Sequence, residues 1–361
     1  MARLVNGDSW AGQRVLVTGH TGFKGSWLSL LLAELGAEVH GLALDPVATP
    51  NLYEAANVEA IIASDNRVDI RDLEATRRVI AEVQPRVIFH LAAQPLVRDS
   101  YRIPVETFAT NALGVAHVLE AARETESVAA VVVVTTDKVY RNVEDGHAYR
   151  EDEPLGGHDP YSASKAAAEI VSESYRLSFF SEPGSASIAT ARAGNVIGGG
   201  DWSTDRLIPD CVRAFQSGET VVLRFPDSVR PWQHVLEPLV GYVALGEALL
   251  REPERRFDRA WNFGPRESDT ATVGTVAGRA AALWGATARV DLGTSEGQPH
   301  EAGLLAIDSS LAAAELGWVP RWDLETSVRK TIEWYLAWDA DADMQDFSRT
   351  QIFEYLGAQG A

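Results

Sequence analysis

Apolar runs and helical spacings alternate through the first half of the chain. Arg14–Thr18 (RVLVT) is a short β-branched run, Glu38–Leu44 reads as a second strand and Arg86–Leu91 (RVIFHL) as a third. Ala129–Thr135 (AAVVVVT) is the most hydrophobic strand of all. Between them Ser26–Leu35, Leu73–Val83 and Thr110–Ala122 carry apolar residues at helical spacing. Continuously apolar strands separated by helices predict a parallel sheet covered on both faces. After Arg192 the periodicity breaks at Gly198, Gly199, Gly200, Pro209, Pro226 and Pro231. Shorter pieces return at Thr220–Leu223, Leu239–Leu250 and Trp261–Phe263. The expected fold is α/β: a Rossmann-type doubly wound parallel sheet with a smaller interleaved α+β substrate lobe. The sheet domain is expected over 11–195 with a returning segment at about 234–264, and the lobe over 196–233 and 265–345. The last residues, from Tyr355 on, are expected to fray.

Charge and cysteine content narrow the partners. The 361 residues carry 32 basic and 51 acidic side chains, a net −19 that opposes binding to nucleic acid or anionic lipid. No apolar run is long enough to span a bilayer. The N-terminal stretch holds Asn6 and Asp8 and no apolar core of a signal peptide. A single cysteine, Cys211, excludes an internal disulfide and suits a reducing compartment, so the cytoplasm is the expected location. With one cysteine and no paired histidines at ligand spacing, no metal site is expected.

Gly19-His20-Thr21-Gly22-Phe23-Lys24-Gly25 spells G-x-x-G-x-x-G between the first strand and the first helix. Glycines there allow a tight turn, a close approach to a pyrophosphate and close helix–strand packing. The helix N-terminus offers free N–H groups to phosphate. Gly19, Thr21, Gly22, Phe23, Lys24 and Gly25 are therefore cofactor-site candidates. Asp69-Ile70 suits an adenine contact, and Leu91-Ala92-Ala93-Gln94 a close backbone pass beside the cofactor. The glycine spacing resembles that of the extended short-chain dehydrogenase/reductases. That resemblance implies an acidic residue holding the adenosine ribose at the end of the second strand. Ala43 stands at that position and Asp45 two residues later. No arginine stands nearby to receive a 2′-phosphate, which favours NAD over NADP.

Tyr161 and Lys165 form Y-x-x-x-K and share one helix face. An ammonium near a phenol stabilises phenolate, which suits the removal of a sugar hydroxyl proton as hydride leaves for nicotinamide. The strongest strand runs into Thr135-Thr136-Asp137-Lys138-Val139-Tyr140, at the carboxyl end where ligands of such sheets lie. A hydroxyl, a carboxylate and an amine thus arrive together.

At this point the chain resembles the CDP-glucose 4,6-dehydratase group of that superfamily. The matching stretches include VTGHTGFKGSWLSLLL (17–32), TTDKVY (135–140), GGHDPYSASK (156–165), RAGNVIGGGDW (192–202) and RPWQHVLEPL (230–239). The related dTDP-glucose dehydratases carry Asp-Glu where this chain has Asp137-Lys138. The resemblance implies an enzyme that oxidises C4, eliminates water across C5 and C6, and returns hydride to C6. In that cycle Tyr161 is the C4 base, Asp137 the C6 acid and Thr136 a partner of the C4 oxygen. Lys165 holds the cofactor ribose and tunes Tyr161, and Lys138 is either the C5 base or a charged partner of the enolate. By the same resemblance Asn195, Arg206, Leu207, Arg230 and His300, with Glu301 nearby, are substrate contacts, and Arg213 is a further cation of that region. Trp202 is read as pocket or core. A homo-oligomer is implied, with Ala166, Ala167 and Ala168 permitting close helix approach. Two rivals remain: a 4-epimerase or 4,6-dehydratase for a UDP-, dTDP- or GDP-linked sugar, and a non-catalytic nucleotide-binding scaffold.

Overall fold

The computed structural model describes residue 5 and residues 7–251, 256–293 and 305–357. Its centre is a seven-stranded parallel sheet. In chain order the strands are β1 (Arg14–Thr18), β2 (Glu38–Ala43), β3 (Ser64–Arg67), β4 (Val87–His90), β5 (Ala130–Val134), β6 (Ser187–Ala193) and β9 (Ala260–Phe263). Their spatial order is β9-β6-β5-β4-β1-β2-β3, and every pairing is parallel. All five residues of β5 and all seven of β6 are buried; β5 therefore reads as a continuous apolar run, whereas β6 (SIATARA) keeps Ser187, Thr190 and Arg192 and does not read as a strand.

Helices cover both faces. On one side α1 (Phe23–Glu34) and α6 (Leu236–Arg251) build a large core that includes Trp10, Trp27, Val132 and Leu245. On the other, α2 (Leu73–Val83), α3 (Gly114–Arg123) and α4 (Pro160–Phe179) enclose Leu16, Ile88, Val131 and Leu119. Alternate residues of β1, β4 and β5 feed the two cores, as the pleat requires. After β6 the chain leaves the sheet and returns to it through α6 and β9.

The remainder is more helical than its glycines and prolines suggest. It contains α5 (Leu207–Ser217), β7 (Thr220–Val222), β8 (Val229–Pro231), β10 (Thr270–Thr272), α7 (Val273–Trp284), β11 (Arg289–Asp291), α8 (Leu324–Asp339) and α9 (Met344–Leu356). β8 pairs antiparallel with β10, and β7 pairs parallel with β11. Pro209 sits in the first turn of α5, where a missing N–H costs nothing. The expected fraying does not reach Tyr355, which is 2% exposed and whose hydroxyl donates to Glu237 at 2.5 Å; the rest of that expectation, residues 358–361, lies outside the described residues. Trp202 is core, packed edge-on against Trp334, Tyr335 and Trp338. Among the described residues no helix is long and apolar enough to cross a membrane.

Candidate active site

The glycine loop joins β1 to α1 under tight backbone contacts. Gly19 has φ +76°, and a Cβ there would stand 2.7 Å from the Ala92 nitrogen. A Cβ on Gly25 would fall 2.0 Å from the Gly19 carbonyl oxygen. Both positions exclude any side chain, and the loop–helix junction they create is a cradle sized for phosphate. These residues fit a dinucleotide cofactor.

The flanking candidates are placed unevenly. Leu91 and Ala92 donate their N–H groups to Thr18 Oγ1, both at 3.1 Å, so this strand end passes directly over the loop with Ala93 following. Gln94 is fixed through Asn111, whose amide reaches the Gln94 carbonyl at 3.0 Å and Ser164 Oγ at 2.9 Å. Thr21 donates to the Leu44 carbonyl at 2.9 Å, tying the loop to the end of β2. Ile70 is 4% exposed and packs in the core under Gly114. The Asp69 carboxylate is taken up by Arg71, at 2.6 Å in its shortest contact.

Asp45 is largely exposed and lies 3.7 Å from Arg67. The expectation of no arginine nearby is corrected here. β3 carries Arg67 beside the end of β2, where it pairs with Asp65 at 2.6 Å and lies over the Tyr53 ring. Separation along the sequence hid a side-by-side position in space. His20 of the loop also reaches Asp65, at 2.9 Å, its ring filling the room left by Gly41.

The reactive residues gather at the carboxyl ends of β5 and β6. Thr136 caps a short turn over Asp137–Val139, and its Oγ1 donates to Asp137 Oδ1 at 3.0 Å. Lys138 Nζ lies 3.2 Å from the same oxygen and 3.4 Å from Asn195 Oδ1. Asp137 is 2% exposed and Lys165 6%. Tyr161 occupies the first turn of α4, which Asp159 caps by accepting the Ser162 N–H at 3.0 Å, and Lys138, Thr136 and Arg206 all act on its phenol.

The electrostatics depart from the simple Tyr–Lys expectation. Burial pushes the Tyr161 phenol up, and the cation that opposes this most is Lys138, followed by the Thr136 hydrogen bond and Arg206. Lys165 is not among the groups that act most on it; its Nζ donates to the Val134 carbonyl at 3.0 Å. Burial brings the Lys165 amine down to about 8, with Glu169 opposing. Lys24 is brought down to about 7, mainly by burial and then by Arg206, with Lys165 and Lys138 adding to it and Asp137 opposing. The loop lysine is thus an electrostatic member of the reaction chamber. Lys24, Lys138, Lys165 and Arg206 make a local positive field inside a chain of charge −19. Such a field suits a diphosphate.

The substrate candidates divide. Arg206 lies 3.7 Å from Asp201 and faces the chamber electrostatically, while Leu207 starts α5 beside it. Arg230 is 9% exposed, in β8. Arg213 is committed elsewhere, to the Trp202 carbonyl at 3.0 Å and to Asp210. His300 and Glu301 lie outside the described residues. Cys211 is fully buried in α5, its thiol pushed up to about 12.

Two side chains behind the site were not singled out in the sequence. Asn111 lies in a π-helical turn, Ala109–Leu113, and joins the β4 loop to α4. Glu169 stands one turn beyond Lys165, accepts from Thr135, from Thr190 at 2.6 Å and from Arg192 at 2.9 Å, and is 4% exposed. An amide inside a helix and an acid four residues after the lysine were the available signals.

Fold and chamber together define a Rossmann-type protein built like the nucleotide-sugar epimerases and dehydratases. The solved UDP-glucose 4-epimerase of Thermus thermophilus, in complex with NAD, superposes with a TM-score of 0.76 at 26% identity, covering 90% of this chain and 99% of that one. A CDP-glucose 4,6-dehydratase of Salmonella typhimurium is 47% identical over 98% of this chain and 99% of its own length. A dTDP-glucose 4,6-dehydratase of Streptomyces griseus is 32% identical over 89% of this chain and 93% of its own. Residues 16–256 match the GDP-mannose 4,6 dehydratase family, and the chain belongs to that family.

Proposed function

We propose that the chain converts CDP-glucose to CDP-4-keto-6-deoxyglucose and water, acting as a hydro-lyase. The observation that carries this reading is Asp137 beside Lys138 at the end of β5, with Lys138 the cation that acts most on the Tyr161 phenol. Epimerisation at C4 uses no acid at C6, so an acid–amine pair beside the tyrosine favours elimination. The choice of cytidine rests on the Asp137-Lys138 pair and on the likeness to the Salmonella enzyme across both lobes.

The glycine loop, with Lys165 and the Leu91–Gln94 pass, would hold NAD. When bound, NAD supplies the redox chemistry, taking a hydride from C4 and giving it back at C6. Tyr161, as phenolate, takes the C4 hydroxyl proton while Thr136 hydrogen-bonds the C4 oxygen. The C4 ketone acidifies C5–H. Lys138 removes that proton, and Asp137 hands a proton to the departing C6 hydroxyl. Lys138 then returns its proton to C5. Arg206, Arg230 and Asn195 hold the diphosphate end.

The assembled enzyme is a homo-oligomer in the cytoplasm. Ala166 and Ala168 are already buried within their own chain, so the pairing face of α4 lies elsewhere. Ile170, Leu177 and Phe179 on α4, with Val105, Phe108 and Leu113 beside it, leave large apolar side chains exposed. The test of the chemistry is CDP-glucose deuterated at C4. Recovery of the label at C6 of the product supports the internal cycle, and its loss to solvent or retention at C4 defeats it.

A further inference from the structure

In the reaction proposed above Lys138 works at C5, and the tip of a flexible side chain has to be aimed there. Its Nζ is tetrahedral. One direction is the bond to Cε, and three remain. Two of them meet acceptors: Asp137 Oδ1 at 3.2 Å and Asn195 Oδ1 at 3.4 Å. Among the described residues no third side chain accepts from Nζ, so one direction is left for the substrate. An ammonium places a hydrogen there and an amine its lone pair, so the aim is the same before and after a proton moves between C5 and nitrogen.

Both acceptors are themselves held. Thr136 Oγ1 donates to the same Asp137 Oδ1 at 3.0 Å. The other oxygen of that carboxylate lies against Gly194, where an added Cβ would come within 3.1 Å of it. Asn195 is the next residue. Its backbone is set between β6, buried throughout, and the buried pair Val196–Ile197, which runs beside Gln233–His234. Asp137 and Asn195 thus approach Nζ from the ends of two paired strands, β5 and β6. The chemistry of the second acceptor also matters. An amide oxygen takes an N–H without adding charge, whereas a carboxylate in its place would give the amine a second counter-ion.

We propose that Asn195 is a positioning residue for Lys138: its amide oxygen, together with Asp137 Oδ1, fixes the direction in which Nζ meets C5. This rests on the dehydratase reading of the site. It gives Asn195 a task beyond holding the diphosphate, which its amide nitrogen can still perform. The two tasks separate in kinetics, because a grip on the diphosphate acts on binding and the aim of Lys138 acts on the step at C5.

The test uses the NAD-loaded enzyme with saturating CDP-glucose, unlabelled or deuterated at C4 or at C5. Asn195→Ala removes the acceptor; Asn195→Asp keeps an oxygen in its place and charges it. In Asn195→Ala kcat should fall about tenfold or more. Deuterium at C5 should slow this variant more than deuterium at C4, and reduced nicotinamide should build up in the steady state, because the step after C4 oxidation has become the slow one. In Asn195→Asp turnover should survive, with the pH profile of kcat displaced upward by roughly 1–2 pH units, the direction a second carboxylate beside the amine imposes. The proposal is overturned if Asn195→Ala raises KM and leaves kcat alone, if deuterium at C4 rather than C5 slows it, or if the Asn195→Asp profile coincides with that of the wild type. A wild-type enzyme that releases no water from CDP-glucose would instead defeat the dehydratase reading on which the inference stands.

Discussion

Lys138 Nζ stands 3.2 Å from Asp137 Oδ1, the lysine partly open to solvent and the aspartate buried. The pair links the two halves of an elimination, a base for C5 and an acid for C6. Lys138→Ala removes the base and leaves Tyr161, Thr136 and the glycine loop in place. With C5-deuterated CDP-glucose, exchange of that label with solvent should all but cease, and kcat should fall by about 10²–10⁴-fold. Reduced nicotinamide should still form, though more slowly, because Lys138 is also the cation that most lowers the Tyr161 phenol. Undiminished exchange would place the base elsewhere.

Lys24 gives a pH dependence whose sign can be worked out. Its amine is brought from 10.5 down to about 7, mainly by burial. Below that value it is charged and helps hold a diphosphate, and above it the help is lost. Affinity for NAD or the nucleotide sugar should therefore weaken as pH rises through 7, and Lys24→Met should flatten this dependence. The unliganded fold responds in the opposite sense. Between about 7 and 10.5 the unfolded chain binds more protons than the folded one, so stability rises with pH there. Lys24→Met should stabilise the ligand-free protein near neutral pH by roughly 1–3 kcal/mol. That gain should shrink towards pH 10, as followed by thermal melts.

Glu169 and Arg192 form a buried ion pair at 2.9 Å, each side chain 4% exposed. Arg192 also donates to the Tyr140 hydroxyl at 2.8 Å, and Tyr140 to Asn262 at 2.7 Å, so the pair anchors a polar network behind the catalytic turn. Glu169→Ala leaves a guanidinium without its counter-ion and should cost about 3–5 kcal/mol in urea denaturation. Glu169→Gln, which keeps acceptor and shape, should cost less. Equal losses would mean that packing alone holds this region.

Two glycines make opposite predictions. Gly25→Ala puts a Cβ 2.0 Å from the Gly19 carbonyl and must distort the loop, so the NAD Kd should rise by about tenfold or more. Gly278 lies inside α7 with nothing within 4 Å of the place a methyl would take, so Gly278→Ala should leave binding unchanged and stabilise the fold by about 0.5–1 kcal/mol.

β1, β4 and β5 were legible because they are buried and mostly apolar, and β5 and α2 were read to within a residue of their bounds; β6 was missed because Ser187, Thr190 and Arg192 interrupt its apolar residues. β3 was not, since Ser64-Asp65-Asn66-Arg67 is an edge strand with no fully buried residue. Missing it also hid Arg67 beside Asp45. The helices α5, α7, α8 and α9 were lost among glycine and proline signals, most of which belong to the connections around them, although α5 carries its proline in the first turn and α7 holds Gly274 and Gly278. Tyr161, Lys165, Thr136, Asp137 and Lys138 converge as their spacing implied, because a strand end and a helix start bring them to one place. Which cation acts on which phenol was not legible. That depends on Lys165 turning to the Val134 carbonyl and on Lys24 reaching the chamber from the loop, and neither is encoded in spacing.

The most direct test offers the purified protein, supplied with NAD, four sugars in parallel: CDP-, dTDP-, UDP- and GDP-glucose, with product mass as the readout. The account predicts loss of one water from CDP-glucose, with the other three turned over far more slowly. An isomer of unchanged mass, or faster dehydration of another nucleotide sugar, would contradict it.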